Sequence, residues 1–420
     1  MKAAENHLRP SRRIVPVLAA LLAAVGMLSL SFGQAAAEDD DQQFTVSKWA
    51  YKQLNGAHQA ISKAQYDQAL DLMNKMKGRS RLNDHERALM WQTFGYIHSA
   101  KEQFSKAIQA FEKCLSMNAM HEQAAIDTQY NLGQLYMANE QFAEGARVLS
   151  DWIKKVDKPS AQAKYLLAMA LTQTKNHRRA LHWATQAVAA KKPPPESWLQ
   201  LLLSLHYELD QKAEMANVLE RLIRRSPEKK SYWMQLYAVY SRLGRKERAL
   251  ALLELAYDQG FLTSHHELMN LASLYLHHAI PRKAAEVMER GLEAGIIKND
   301  PKILTQLGDA HMRARDYDRA IVNLSRAAKA SATGDLWVRV AQLHMERQEW
   351  TKAIGALRRS LQKSGNTERD KGNAHLLMGI CYHRKNNPRA ARDAFLQAKS
   401  IDATRKSAQS WLEVVAPKTK

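Results

Sequence analysis

Glycine and proline are scarce in this chain, at 17 and 11 of 420 residues. That excludes a fold built on many tight turns and favours helices joined by short connections. Cysteine is scarcer still: Cys114 and Cys381 are the only two, too few for a disulfide framework or a multi-cysteine metal site. Both come too late in the chain for a lipobox, which excludes a lipoprotein anchor. The glycines stand singly, with no G-x-G cluster, and no nucleophile elbow, phosphate loop, H-E-x-x-H or paired-carboxylate motif is present. Carboxylates sit mostly beside lysines and arginines, as Glu247 does beside Arg248. Neither an enzyme nor a bound cofactor is expected. Acidic residues are also in deficit, 42 against 62 lysines and arginines, giving a formal net charge of +20. A charge of that sign draws acidic partners, anionic glycans or lipid headgroups and makes association salt-dependent.

The apolar content, 45%, is ordinary for a packed core. Its longest run, Ile14 to Phe32, follows Arg9, Arg12 and Arg13 and precedes Ala35-Ala36-Ala37 and the acidic stretch Glu38 to Asp41. This is the order of a secretory signal peptide, residues 1–37, with cleavage after Ala37. An uncleaved membrane anchor is the alternative, since the run is near the lower limit for a span. Cleavage leaves a mature chain of net +17, because four cations and one anion go with the leader. Residues 38–43 read as a short acidic linker.

The rest of the chain repeats. A small residue on a helix is followed twelve positions later by an alanine, four after that by a large apolar residue, and three after that by another small or apolar one. The clearest copy is Gly95, Ala107, Phe111, Cys114. It recurs from Gly133, Ala168, Tyr237, Ala272, Gly308, Ala341 and Gly379, with a degenerate first copy from Ala57 and a weak one around Leu202. The start points step by 38, 38, 35, 34, 35, 35, 36, 33 and 38 residues. Small residues at the first two marks let two helices approach closely, and the large residue fills the gap on one face. No such unit buries its apolar face alone, so the copies must stack. In the weak copy Glu214 takes the alanine position and Arg221 the next mark; a one-residue slip that turns Ala216 or Ala213 inward restores the pattern.

Trp91-x2-Phe94-Gly95, Leu132-Gly133-x2-Tyr136 and Trp337-x2-Val340-Ala341 resemble the tetratricopeptide repeat, as does the aromatic three residues before the alanine at Tyr66, Phe104, Phe142, Tyr317 and Trp350. The resemblance implies an all-α, right-handed superhelical solenoid of about ten helix pairs over residues 44–404, closed by a capping helix and tail at 405–420. With a leader and no lipobox, the chain resembles the periplasmic repeat proteins that accompany TonB–ExbB–ExbD systems. That resemblance implies a non-enzymatic periplasmic scaffold binding an extended or helical segment of an envelope protein. Membrane contact would be indirect, or through the leader if it is uncleaved. Nucleic acid is disfavoured because the leader takes the protein out of the cytoplasm. The alternative is a scaffold for export or assembly of an anionic polysaccharide.

The family's groove positions on helix A, carried over here, give Tyr96, Tyr130, Met137, Tyr165, Met169, Leu199, Leu203, Met234, Met269, Met312 and Met345 as the expected peptide-binding face. Methionine suits such a face because it repacks around varied shapes; the competing reading is that these residues pack between helices. Arg178, Arg179, Arg221, Arg224, Arg225 and Arg245 form the expected basic patch on helix B ends and turns. Sixteen histidines invite a metal reading, but adjacent histidines such as His265-His266 diverge by about 100° on a helix. His98, His311 and His344 fall where the family places tyrosine and read as packing residues. The two cysteines lie eight repeats apart, too far for a bridge. Cys114 reads as buried and Cys381 as a partly exposed thiol.

Overall fold

The computed structural model describes residues 44–416; the expected leader, with cleavage after Ala37, and the expected linker at 38–43 lie outside them. The chain divides into two compact units, one ending at Arg245 and one beginning at Lys246. The first holds α1 (Lys48–Ser62), α2 (Tyr66–Lys77), α3 (Asp84–Ala100), α4 (Phe104–Ser116), α5 (Glu122–Ala138) and α6 (Phe142–Trp152). It continues through α7 (Ala161–Gln173), α8 (His177–Ala190), α9 (Glu196–Glu208), α10 (Lys212–Arg225) and α11 (Lys230–Arg242). The second holds α12 (Lys246–Asp258), α13 (His265–His277), α14 (Pro281–Glu293), α15 (Pro301–Arg313) and α16 (Tyr317–Ala330). It ends with α17 (Asp335–Glu346), α18 (Trp350–Leu361), α19 (Glu368–Arg384), α20 (Pro388–Lys399) and α21 (Arg405–Val414). Within each unit every helix packs on the next in sequence. Odd-numbered helices up to α19 are the A helices, even-numbered ones the B helices.

One backbone device recurs at every A-to-B turn. Ala64, Glu102, Glu140, Lys175, Asp210, Gly244, Ala279, Arg315, Gln348 and Asn386 all have positive φ, between 52° and 67°. The amide of the following residue then closes onto a carbonyl of the last turn of helix A, as Gln103 N does on His98 O at 2.8 Å. This satisfies a terminal carbonyl that would otherwise face solvent. In nine copies the left-handed residue lies seven positions after the small mark. In the weak copy Asp210 does so only if the mark is Leu203, so the slip is real. Leu219, Leu222 and Ala216 are then fully buried, while Glu214 faces solvent.

Close approach of helices A and B follows from the marks. A Cβ on Gly133 would fall 2.6 Å from Leu149, and glycine at 95 and 379 likewise admits the rings of Phe111 and Phe395. Repeats with a 38-residue step use the extra residues to lengthen helix A. The helices α3, α5 and α19 have 17 residues where α7 has 13. Capping boxes at Asn83–Glu86, Ser264–Glu267 and Thr367–Asp370 start three of the A helices, each cap worth about 1 kcal/mol.

At the N-terminal end Phe44 lies against the rings of His85 and His121, at centroid distances of 5.3 and 4.0 Å. Ser47 N donates to Glu86 at 2.8 Å and Asn83 Nδ2 to the Thr45 carbonyl at 2.9 Å. At the other end Trp411 of α21 stacks on Phe395 at 5.6 Å. Both cysteines are buried and free. This corrects the expectation for Cys381, which sits two residues after its mark. That position also holds Ile97, Leu135 and Ala310, all inside the packing.

Candidate functional site

The expected peptide-binding face divides into a closed part and a half-open part. In the first unit, Met137, Tyr165, Met169, Leu199 and Leu203 are buried, at 0–6% exposure. Four of the five have a local reason. Met137 sinks toward Gly145, its sulfur 3.1 Å from where a Cβ would stand, because this copy has glycine in place of the alanine. Tyr165 stacks on Trp198 of the next helix A at 4.9 Å. Leu199 and Leu203 were placed on the face by the unslipped register; the slip turns both into packing positions and leaves Gln200 outward. These five side chains present almost no surface to a ligand.

Tyr96 and Tyr130 are half-buried and also turned into helix contacts. The ring of Tyr96 meets Phe111 edge-on at 5.3 Å, its hydroxyl accepts from Asn131 Nδ2 at 3.4 Å, and burial pushes its pKa up to about 12. Tyr130 packs on Trp152 at 4.6 Å. Adjacent A helices are further laced by Gln92 Nε2, which donates to Thr128 Oγ1 at 2.8 Å. Glu196 accepts from Tyr232, from Ser226 at 2.9 Å and from Lys229 at 2.6 Å. Burial alone would raise the pKa of Glu196, but these donors outweigh it and hold the carboxyl below its ordinary value. Met234 of α11 remains half-buried.

In the second unit the methionines stay at the surface of the core. Met269, Met312 and Met345, on α13, α15 and α17, are all half-buried. Met312, Met345, Val338 and Leu377 fringe one buried cluster that runs from Leu304 through Trp337 and Leu357 to Cys381. Beside them Asp309 of α15 pairs with Arg339 of α17, whose pKa burial lowers. Leu377 and Arg339 were not among the expected site residues. Two A helices carrying opposite charges near one position of the repeat were the available signal.

Of the basic residues, Arg178 and Arg179 on α8 and Arg224 and Arg225 at the end of α10 are exposed, whereas Arg221 and Arg245 are half-buried. Arg179 reaches Ser150 Oγ at 3.4 Å. Cations in the last turn of α10 also complement the helix dipole.

The residues three after the small mark, read as packing residues, have a second task. His98, His206 and His344 meet Gln103, Gln211 and Glu349 through Nδ1 at 2.9, 2.7 and 2.6 Å, tying helix A to the first residue of the next helix B turn. Others reach back to a glutamate on the preceding helix B. Tyr136 donates to Glu112 and Tyr240 to Glu220, both at 2.5 Å, and His311 Nε2 meets Glu289 at 3.1 Å. Among the described residues no three histidines, cysteines or carboxylates gather as a metal site would require. No helix of the described residues is long and apolar enough to cross a membrane.

Family models of the tetratricopeptide repeat match residues 130–194, 305–366 and 338–408, and a further model of the same repeat matches 82–119. No curated protein sequence matches significantly. Among solved structures, the chain is similar to YrrB, a TPR protein with an unusual peptide-binding site. Identity is 16% and the TM-score 0.34, over 46% of this chain and 97% of that one. It is also similar to MamA, at 19% identity and a TM-score of 0.35, over 41% of this chain and 91% of that one. A tetratricopeptide repeat protein from Parabacteroides merdae aligns at 13% identity and a TM-score of 0.28, over 61% of this chain and 98% of that one. The chain is thus an all-helical protein carrying tetratricopeptide repeats, stacked as helix pairs in the manner of an α-solenoid.

Proposed function

We propose that this protein is an exported, non-enzymatic scaffold that binds a peptide segment of a cell-envelope complex through the A helices of its second unit. The observation that carries the reading is the half-buried row Met312, Val338, Met345 and Leu377 at the edge of a well-packed core. Such a row offers apolar contact to a helical or extended segment, and methionine adapts to varied shapes. The Asp309–Arg339 pair supplies a polar border that fixes register. Tetratricopeptide arrays are protein–protein interaction scaffolds, and nothing in the sequence motifs points to catalysis. The leader and acidic linker support export to the periplasm, and the resemblance stated above favours an energy-transducing complex of the TonB–ExbB–ExbD kind as the partner. An anionic polysaccharide fits this row less well, because the row is apolar and the arginine clusters lie on helices B.

The test is capture from solubilised envelope membranes with the tagged mature protein, compared with the double variant M312E/M345E. Both positions are partly exposed, so the variant is expected to keep the wild-type circular dichroism while losing the captured proteins. Retention of the same partners by a folded double variant would sink the proposal.

A further inference from the structure

A recurrent three-residue group in the second unit is complete in its first two copies and lacks its carboxylate in the third. Glu254, Glu289 and Ser325 occupy one register position on the successive B helices α12, α14 and α16. Tyr275, His311 and His344 share a position on the following A helices, and Lys283, Arg319 and Lys352 share one on the B helices after those. In the first group Glu254 bonds Tyr275 and pairs with Lys283. In the second, Glu289 meets His311 Nε2 at 3.1 Å and Arg319 at 3.2 Å. In the third the carboxylate is missing. Lys352 turns instead to Glu349 at 3.2 Å, and His344 meets Glu349 through Nδ1. Nε2, the atom that His311 gives to Glu289, is left without that partner.

The gap is a real space. A cavity of about 260 Å³ lies there, lined by Ser325, Trp337, His344, Lys352, Gly355 and Arg359. It stays open because Gly355 has no side chain and nothing stands within 4 Å of where a Cβ would be. The Arg359 guanidinium rests over the Trp337 ring, 5.1 Å from its centroid, which holds a cation at the cavity wall. One turn before Ser325, Val322 is 57% exposed, giving an apolar flank next to the charged notch.

We propose that this notch receives a glutamate or aspartate side chain of an acidic polypeptide, whose carboxylate takes the place that Glu254 and Glu289 fill in the neighbouring repeats. The protein shows twice how it binds this group: one hydrogen-bonding ring of helix A, Tyr275 or His311, and one cation on helix B. In the third copy a further cation, Arg359, lines the cavity, at the register position that Arg290 and Arg326 hold in the other two. The exposed valine beside it fits a polypeptide with an apolar neighbour to the acidic residue. This site is separate from the methionine row, and either can fail alone.

Two variants of the mature protein test it, S325E and S325Q, which fill the same volume with and without charge. The carboxylate of S325E is expected to complete the group internally, so that S325E melts several degrees above S325Q. A fluorescently labelled short oligoglutamate is expected to bind the wild type by anisotropy, and to lose about tenfold in affinity to S325E and to R359A, the cost of a charge-assisted hydrogen bond. The paired change R178A/R179A, which removes two cations elsewhere where R359A and S325E each shift the charge by one, should alter affinity less than either. The proposal is overturned if S325E is no more stable than S325Q, or if it binds oligoglutamate as the wild type does. Equal loss in R178A/R179A, or displacement of the peptide by millimolar inorganic phosphate, would overturn it as well.

Discussion

Gly308 and Leu324 share one space: a Cβ on the glycine would fall 2.6 Å from Cγ of the leucine, well inside contact distance. Leu324 is itself fully buried, and the clash meets the stem of the side chain, which cannot swing clear. Overpacking of this kind costs about 1–3 kcal/mol, whereas alanine in a helix gains about 1 kcal/mol over glycine. Gly308→Ala should therefore lower the melting temperature. Gly355→Ala, where nothing lies within 4 Å, should raise it. Thermal melts followed by far-ultraviolet circular dichroism separate the two; equal shifts would contradict the packing described.

The ten left-handed turn residues make an independent prediction. Gly244 holds φ +67° without cost, whereas Gln348 holds φ +60° with a side chain. The left-handed conformation costs a side-chain-bearing residue roughly 1–2 kcal/mol. Gly244→Ala is expected to destabilise by about 1 kcal/mol. Gln348→Gly should stabilise by less than that, since glycine also loosens the unfolded chain. Urea midpoints at unchanged m-value report both.

Acid should loosen the packing around His85 on α3. Burial lowers the pKa of His85 from 6.5, the Ala119 carbonyl at 2.7 Å opposes this, and the neighbouring His121 adds to the lowering. The folded state binds this proton less tightly than the unfolded state. The stability from neutral His85 is therefore complete above about pH 6.5 and is lost as the pH falls through the lower folded value. Hydrogen exchange of α3 should accelerate between neutral and mildly acidic pH in the wild type, and His85→Gln should flatten that dependence. An unchanged pH profile in the variant would assign the effect to another group.

Both thiols should be silent in the folded protein. Burial pushes Cys114 up to about 12 and Cys381 up to about 11, and the thiolate is the reactive form. Alkylation at neutral pH should modify neither residue until denaturant is added, as mass spectrometry of the intact chain would show. Modification of Cys381 in the native state would mean that its repeat opens.

Much of the fold could be read from residue spacing alone. The glycine and alanine marks, the large residue sixteen positions on and the aromatic at the start of helix B fall in the packing where the spacing put them, because close approach of two helices admits only small residues on one side. Asp210 shows where spacing was insufficient. Around Leu202 no small mark exists, and only the backbone conformation at the turn set the register one residue later, moving Leu199 and Leu203 into the core. Cys381 was misread for a different reason: its position is apolar in other copies, but it lies two residues after the mark and is not one of the four positions that the spacing follows.

Sequence by itself determined the helix pairs, their number and the turns between them, since each depends on residues within one repeat. Only the tertiary structure decided which helix A residues remain open to a partner. Met137 and Met312 hold the same place in their repeats, yet the first is buried toward Gly145 and the second is left half-exposed at the rim of its core. The difference lies in what the neighbouring helix presents. The same holds for Ser325, an ordinary serine in the sequence, which lines a notch because its side chain is shorter than the glutamates that fill that position in the adjacent repeats.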